Sequence, residues 1–217
     1  MENIKTKRFA LILLSGGEGI RFGSSIPKQY LPVNGKPLVL HSLDLFISLG
    51  LFIEHIAVCD PKHKKIFEKY PQLTLALFGK RRQDSLLHGI ESISSKIDFV
   101  CIHDAARPFI KKNDILKLLT VAMEEKAVAL GTPVTNTIKI CDEKNYVKKT
   151  LDRKTLWEIQ TPQIIELNLL KEGLNFAKEN NITVTDDISL VELIGHKVRI
   201  VKGCESNRKI TTPKDLQ

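Results

Sequence analysis

Cysteine is scarce in this chain, and its four residues stand far apart: Cys59, Cys101, Cys141 and Cys204. No Cys-x-x-Cys pair and no Cys/His ligand spacing occurs, which argues against a structural zinc site. Nor is there the density of a disulfide scaffold, so the thiols read as reduced and the compartment as intracellular. Aromatics are few, at 6% of 217 residues. They are not interleaved with the basic residues as a single-strand nucleic-acid groove requires. No apolar run approaches the length of a membrane span. Residues 1–8 are polar and basic where a secretory signal would have an apolar core. The expectation is a soluble, cytoplasmic protein with neither nucleic acid nor membrane as partner. Two nucleotide signatures are missing as well. Gly35-Lys36 is followed by Pro37 and Gly79-Lys80 by Arg81, whereas a P-loop needs Ser or Thr there. The dinucleotide fingerprint wants a third glycine three residues after Gly19, and that residue is Phe22.

What is present starts with a short apolar run, 9–14, which suits a strand covered on both faces. Ser15-Gly16-Gly17-Glu18-Gly19 follows it, then Arg21 and Lys28. Glycines let a backbone approach a ligand closely, and a tight turn of N–H groups makes an anion site. A Gly-x-Gly after a strand is also a common tight turn. With two cations just beyond it, this one reads as a triphosphate cradle. The net charge of +8 fits an anionic small substrate.

The remainder alternates. Strands are expected at 53–59, 73–78, 99–102, 127–131 and 198–202. Helices are expected at 37–46, 62–70, 114–126 behind Asn113, 169–180 behind Asn168, and 187–194. A further helix starts at Asp84 or Ser85 and runs through 93; the Ser85 hydroxyl serves as its cap or bonds a nucleotide base. Such alternation predicts one α/β domain over 1–217, a doubly wound, mostly parallel, Rossmann-like sheet. Segments 132–140 and 146–151 bracket a polar turn and predict a protruding β-hairpin arm within 132–152. A hairpin with so little apolar surface is barely stable alone, so a second subunit is expected to hold it. The strand at 99–102 delivers His103 and Asp104 at its carboxyl end, where parallel sheets bind ligands. A lone aspartate there either caps a turn or binds Mg²⁺ alongside phosphates.

Taken together these stretches resemble the 2-C-methyl-D-erythritol 4-phosphate cytidylyltransferase family of isoprenoid biosynthesis. The resemblance covers nearly the whole chain. It rests on the Gly-rich loop with Arg21, Pro27-Lys28-Gln29-Tyr30, Arg82-Gln83-Asp84-Ser85, His103-Asp104-Ala105-Ala106-Arg107-Pro108, Thr137-Ile138-Lys139, Asp152-Arg153, Thr161-Pro162-Gln163, Thr185-Asp186-Asp187 and Lys209-Ile210-Thr211. Ser15-Gly16-Gly17 stands where the family usually has Ala-Ala-Gly, and Asn136 where it usually has an acid. The resemblance implies a nucleotidyltransferase fold and a reaction of CTP with methylerythritol phosphate, giving CDP-methylerythritol and pyrophosphate. It assigns catalysis to Arg21, Lys28, Arg153 and Lys209, and Mg²⁺ to Asp104. The nucleotide falls to Ser15, Gly16, Gly17, Gly19, Gly79, Asp84, Ser85 and Ala105. The polyol phosphate falls to Arg107, Thr137, Arg153, Thr161 and Lys209. It also implies a homodimer in which the arm's Thr137 and Arg153 serve the partner's site. Three other readings stay open: a sister cytidylyltransferase acting on ribitol 5-phosphate, a sugar-nucleotide pyrophosphorylase using another base, and a non-catalytic nucleotide- or nucleic-acid-binding domain.

Overall fold

The apolar run becomes the central strand. The computed structural model describes residues 3–17, 22 and 26–216. In it β1 (Phe9–Leu14) is buried along nearly its whole length. Asn34 and Gly35 follow at φ 50° and 76°, the left-handed pair that a two-residue hairpin turn needs. They join β2 (Pro32–Val33) to β3 (Lys36–Pro37). Helix α1 (Leu38–Ser48) leads to β4 (Phe52–Cys59), and β5 (Leu73–Leu77) leads to α2 (Arg82–Glu91). Then come β6 (Phe99–Asp104), α3 (Lys112–Ala122) and β7 (Ala127–Pro133). The arm strands are β8 (Lys139–Cys141) and β9 (Val147–Thr150). Strand β10 (Trp157–Glu166), α4 (Leu167–Glu179), α5 (Ile188–Leu193) and β11 (Arg199–Lys202) complete the order.

Seven strands form one sheet in the order β11-β7-β10-β6-β1-β4-β5. Every pairing is parallel except those of β10, which runs antiparallel to both β6 and β7. Each face of the sheet has its own core. On one, Phe46 of α1 and Leu118 of α3 pack over Leu11 and Leu13. On the other, Leu86 of α2, Leu170 of α4 and Val191 of α5 pack over Ala10 and Ile12. Alternate residues of β1 therefore serve opposite cores, which is why the run shows no polar gap. This is the doubly wound, mostly parallel arrangement expected.

Several local expectations are corrected. Ten-residue β10 was not anticipated, because Pro162 argues against a central strand. Its register against β7 skips from Ile159 to Gln163, so Pro162 sits where the ladder is interrupted and no N–H is required of it. The charged segment 62–70 is a 3₁₀ helix, Pro61–Phe67, started by Asp60 accepting the Lys62 N–H at 2.9 Å. Neither Asn113 nor Asn168 caps a helix. Each lies inside the first turn, and Lys111 and Glu166 precede their helices with no side-chain cap bond. Thr132 and Pro133 belong to β7, and the hairpin ladder is confined to 139–150. All seven residues of β8 and β9 are exposed.

Candidate active site

Strand order reverses beside β1: its next strand in sequence within this sheet, β4, lies on one side and β6 on the other. Open α/β sheets bind ligands in the crevice outside the carboxyl ends at such a point. A cleft of about 950 Å³ opens there, walled by Gly16, Gly17, Lys28, Gly79, Asp104 and Lys209 among others.

Its glycines have different tasks. A Cβ on Gly16 would lie 2.2 Å from Phe78 Cβ, and one on Gly79 would lie 2.4 Å from Asp84 Cβ. The two loops touch, and only glycine permits it. A Cβ on Gly17 would meet nothing within 4 Å, so that backbone faces open space. The loop is pinned from behind. The Ser15 carbonyl accepts from Gln29 Nε2 at 2.7 Å and from the Tyr30 hydroxyl at 2.8 Å. Gln29 Nε2 also donates to the Gly17 carbonyl at 2.7 Å. These bonds give Pro27-Lys28-Gln29-Tyr30 its purpose: Gln29 and Tyr30 hold the loop, and Lys28 is left in the cleft wall. Burial pushes the Tyr30 phenol up to about 12, so it stays a neutral donor.

At the end of β6, Asp104 takes Lys209 Nζ on one oxygen at 2.7 Å and Arg82 Nη2 on the other at 3.0 Å. Arg82 also pairs with Asp187, whose second oxygen is buried without a partner. Burial alone would push the Asp104 carboxyl up. Arg82 and Lys209 overcome that and hold it far below the ordinary carboxylate range. Arg82 sits above its ordinary value, because two carboxylates outweigh its burial. Among the described residues no group of three or more His, Cys, Asp or Glu side chains could hold a metal.

A neutral chain of bonds lies behind Asp104. Its N–H donates to Thr161 Oγ1 at 3.0 Å, and that hydroxyl meets His103 Nδ1 at 3.1 Å. His103 Nε2 lies 3.0 Å from the Arg107 carbonyl. A carbonyl only accepts, so Nε2 carries the proton and Thr161 donates to Nδ1. Burial pushes His103 down to about 4, consistent with that single tautomer.

A second cleft, about 480 Å³, adjoins the first. Arg107, Thr135, Asn136, Glu158, Arg208 and Lys209 line it, and among the described residues Lys209 alone lines both clefts. Arg107 donates to the Asn207 carbonyl at 2.8 Å, and burial pulls its guanidinium below the ordinary value.

The model of the 2-C-methyl-D-erythritol 4-phosphate cytidylyltransferase family matches residues 9–217. The chain belongs to that family. A protein of that name from Chlamydia pneumoniae is 48% identical over 207 residues, covering 95% of each chain. A chloroplastic one from Oryza sativa is 46% identical over 220 residues, 99% of this chain and 74% of that protein. The crystal structure of the Francisella tularensis cytidylyltransferase superposes with a TM-score of 0.85 at 29% identity, covering 96% of each chain. A 4-diphosphocytidyl-2C-methyl-D-erythritol synthase from Anaerococcus prevotii gives 0.85 at 29%, covering 97% and 95%.

Seen as a member of this cytidylyltransferase family, the chain assembles part of the expected constellation. Gly16, Gly17, Lys28, Gly79, Ser85, Asp104 and Lys209 meet at the first cleft, and Arg107 and Lys209 at the second. Ser15, Ala105 and Thr161 lie behind the walls. Ser15 N and Oγ both donate to the Val58 carbonyl, at 2.9 and 2.8 Å. Ala105 is fully buried, its N–H on the Leu14 carbonyl at 3.0 Å. Asp84 does not start its helix: α2 begins at Arg82, and the carboxylate reaches back to the Arg81 N–H at 3.0 Å. Ser85 Oγ accepts the Gly79 N–H at 2.9 Å, so it shapes the loop instead of capping α2. Thr137 and Arg153 line neither cleft. Both are exposed, and Arg153 donates to the Thr135 carbonyl at 2.6 Å. Gly19 and Arg21 lie outside the described residues. Sequence reasoning gave no role to Arg82, Asp187 or Asn207. Arg82 and Asp187 stood in quoted motifs, and an unlike-charge pair opening one helix and preceding another was their available signal. Asn207 offered only its place two residues before Lys209.

Proposed function

We infer that this protein transfers the cytidylyl group of CTP to 2-C-methyl-D-erythritol 4-phosphate and releases pyrophosphate, a step of isoprenoid precursor synthesis. Membership of the family carries the reaction. The geometry that suits it is the junction at Lys209, the residue shared by two adjoining clefts. The nucleotide belongs in the larger cleft, its triphosphate over Gly17 and Lys28. The polyol phosphate belongs in the smaller one, between Arg107 and Lys209. A phosphate oxygen of the polyol attacks the α-phosphorus, and the bond from that phosphorus to the bridging oxygen of pyrophosphate breaks. The nucleophile is already an anion, so no strong base is needed. The enzyme's task is positioning and charge neutralisation.

Lys28, with Arg21, offsets the charge gathering around the α-phosphorus. Lys209 and Arg107 hold and aim the incoming phosphate. Asp104 is a carboxylate kept ionised at the cleft wall, and a single such group suits Mg²⁺ that arrives with nucleotide phosphates and keeps its waters. When bound, the ion would draw negative charge from the phosphate oxygens. Thr137 and Arg153 would complete the site of a second copy. That reading is supported by their exposure outside the lining of both clefts and by the arm's exposed Ile140, Tyr146 and Val147, 45%, 70% and 58% accessible. The described residues include no helix long and apolar enough to cross a membrane, and we place the enzyme in the cytoplasm. Pyrophosphate release from CTP with erythritol or ribitol phosphates, and from UTP or GTP, tests the assignment. Turnover restricted to CTP with the methylerythritol phosphate is expected. A preference for ribitol 5-phosphate would overturn the choice of substrate, and binding without turnover would overturn the enzyme.

A further inference from the structure

The loop after β11 carries Arg208 and Lys209 between two buried anchors. On one side Asn207 is fully buried. Its amide nitrogen donates to Gln160 Oε1 at 3.0 Å and to the Thr161 carbonyl at 2.8 Å. On the other side Ile210 is fully buried, and its N–H donates to the Ala106 carbonyl at 2.8 Å. The first anchor grips β10, and the second grips the turn after β6. The two residues between them both line the second cleft.

Asn207 does more than tether the loop. Its own carbonyl accepts Arg107 Nη1 at 2.8 Å, so one residue sits behind three cations of that cleft. Thr161, whose carbonyl it holds, is the residue whose hydroxyl accepts the Asp104 N–H. Both amide hydrogens are engaged while Oδ1 is buried without a partner. A buried unpaired acceptor costs about 1–3 kcal/mol, and the loop keeps it together with the two donors. Aspartate has nearly the same shape but no such donors, and it would set a negative charge against two oxygens.

We propose that Asn207 is a positioning residue of the transfer reaction, its carboxamide fixing the frame from which Arg208, Lys209 and Arg107 address the polyol phosphate. This rests on the function inferred above. Misplacing such groups by about an ångström can cost up to a hundredfold in rate.

Steady-state kinetics of Asn207→Asp and Asn207→Ala, with CTP affinity by calorimetry, test the proposal. Expected is a loss of about tenfold or more in kcat/KM for the polyol phosphate, with CTP affinity within about twofold of wild type and a larger loss for Asp than for Ala. Gln160→Met removes one acceptor of the pin and leaves Asn207 in place, and it should shift the same constant by less. A folded Asn207 variant with wild-type kcat and KM for the polyol phosphate would overturn the proposal. So would equal weakening of CTP, or failure of all three variants to fold, either of which makes Asn207 a general structural support. The wild-type enzyme run beside them separates the two questions: if it releases no pyrophosphate from CTP and methylerythritol phosphate, the inferred function fails, whatever the variants do.

Discussion

Replacing Arg82 by methionine keeps much of the side chain's length and removes its charge. Arg82 bridges Asp104 and Asp187, whose side chains are only 11% and 2% accessible. Asp104 keeps Lys209. Among the described residues Asp187 keeps no cation within ion-pair distance, and its other oxygen already lacks a partner. Stranding a buried charge in this way costs about 3–5 kcal/mol. For a domain of this size each kcal/mol lowers Tm by about 2–4 °C, so a fall of roughly 6–20 °C is expected. The sign with pH follows from the same group. Without Arg82 the folded-state pKa of Asp187 rises further above its unfolded value, so the folded variant binds the proton more readily. Its deficit against wild type should therefore shrink as pH falls from about 8 toward 5. Urea denaturation of the variant at both pH values measures this, and Asp187→Asn in the Arg82→Met background should restore part of the loss. A single variant within about 1 kcal/mol of wild type, or a double variant no more stable than the single, would refute the reasoning.

Gly16→Ala drives a Cβ into Phe78, and overpacking of this kind costs about 1–3 kcal/mol; calorimetry should show CTP binding weakened along with stability. Lys28→Ala and Lys209→Ala should each cost about a hundredfold or more in kcat; thermal melting should shift little for Lys28→Ala and fall for Lys209→Ala, which takes one of two cations from the buried Asp104, and near-wild-type turnover in both would undo their roles. Arg153→Ala should lose use of the polyol phosphate with CTP binding intact, and mixing it with Lys209→Ala should restore some activity through heterodimers if the arm serves a partner. His103 is depressed from 6.5 to about 4, so the unfolded state takes up its proton first as pH falls. Between pH 7.5 and 5, wild type should lose about 2 kcal/mol more than His103→Gln by urea denaturation.

What could be read in advance depended on how local the cause was. The run 9–14 announces β1 because its neighbours on both sides and both faces are apolar, and one stretch of chain carries that signal. Asn34-Gly35 announces its turn for the same reason. Strand β10 went unseen because Pro162 is a local breaker, and only the skip in register against β7 makes it harmless. The caps at Asn113 and Asn168 were misread because those helices start two residues earlier, behind Lys111 and Glu166, which make no side-chain cap bond. In the site, Gly16, Lys28 and Asp104 stand beside strand ends and were legible there. Arg82 and Asp187, 105 positions apart, acquire meaning only when α2 and the start of α5 meet.

The acids around the first cleft answer a problem that its cations create. A site built to neutralise a triphosphate gathers like charges, and a low-dielectric wall strengthens their repulsion when no ligand is bound. Asp104 and Asp187 sit among Arg82 and Lys209 and offset that repulsion without filling the cleft. The second cleft follows the same pattern, with Glu158 and Glu205 beside Arg107, Arg208 and Lys209. Ion pairs keep the cations of the first cleft folded in place, and Asn207 holds those of the second through neutral bonds. The two clefts should therefore fail differently. Removing Arg82, the cation that Asp104 and Asp187 share, would strand a buried carboxylate and make stability depend on pH. Asn207→Ala adds no titrating group, so it would leave the pH dependence of stability alone and change where the cations of the second cleft point.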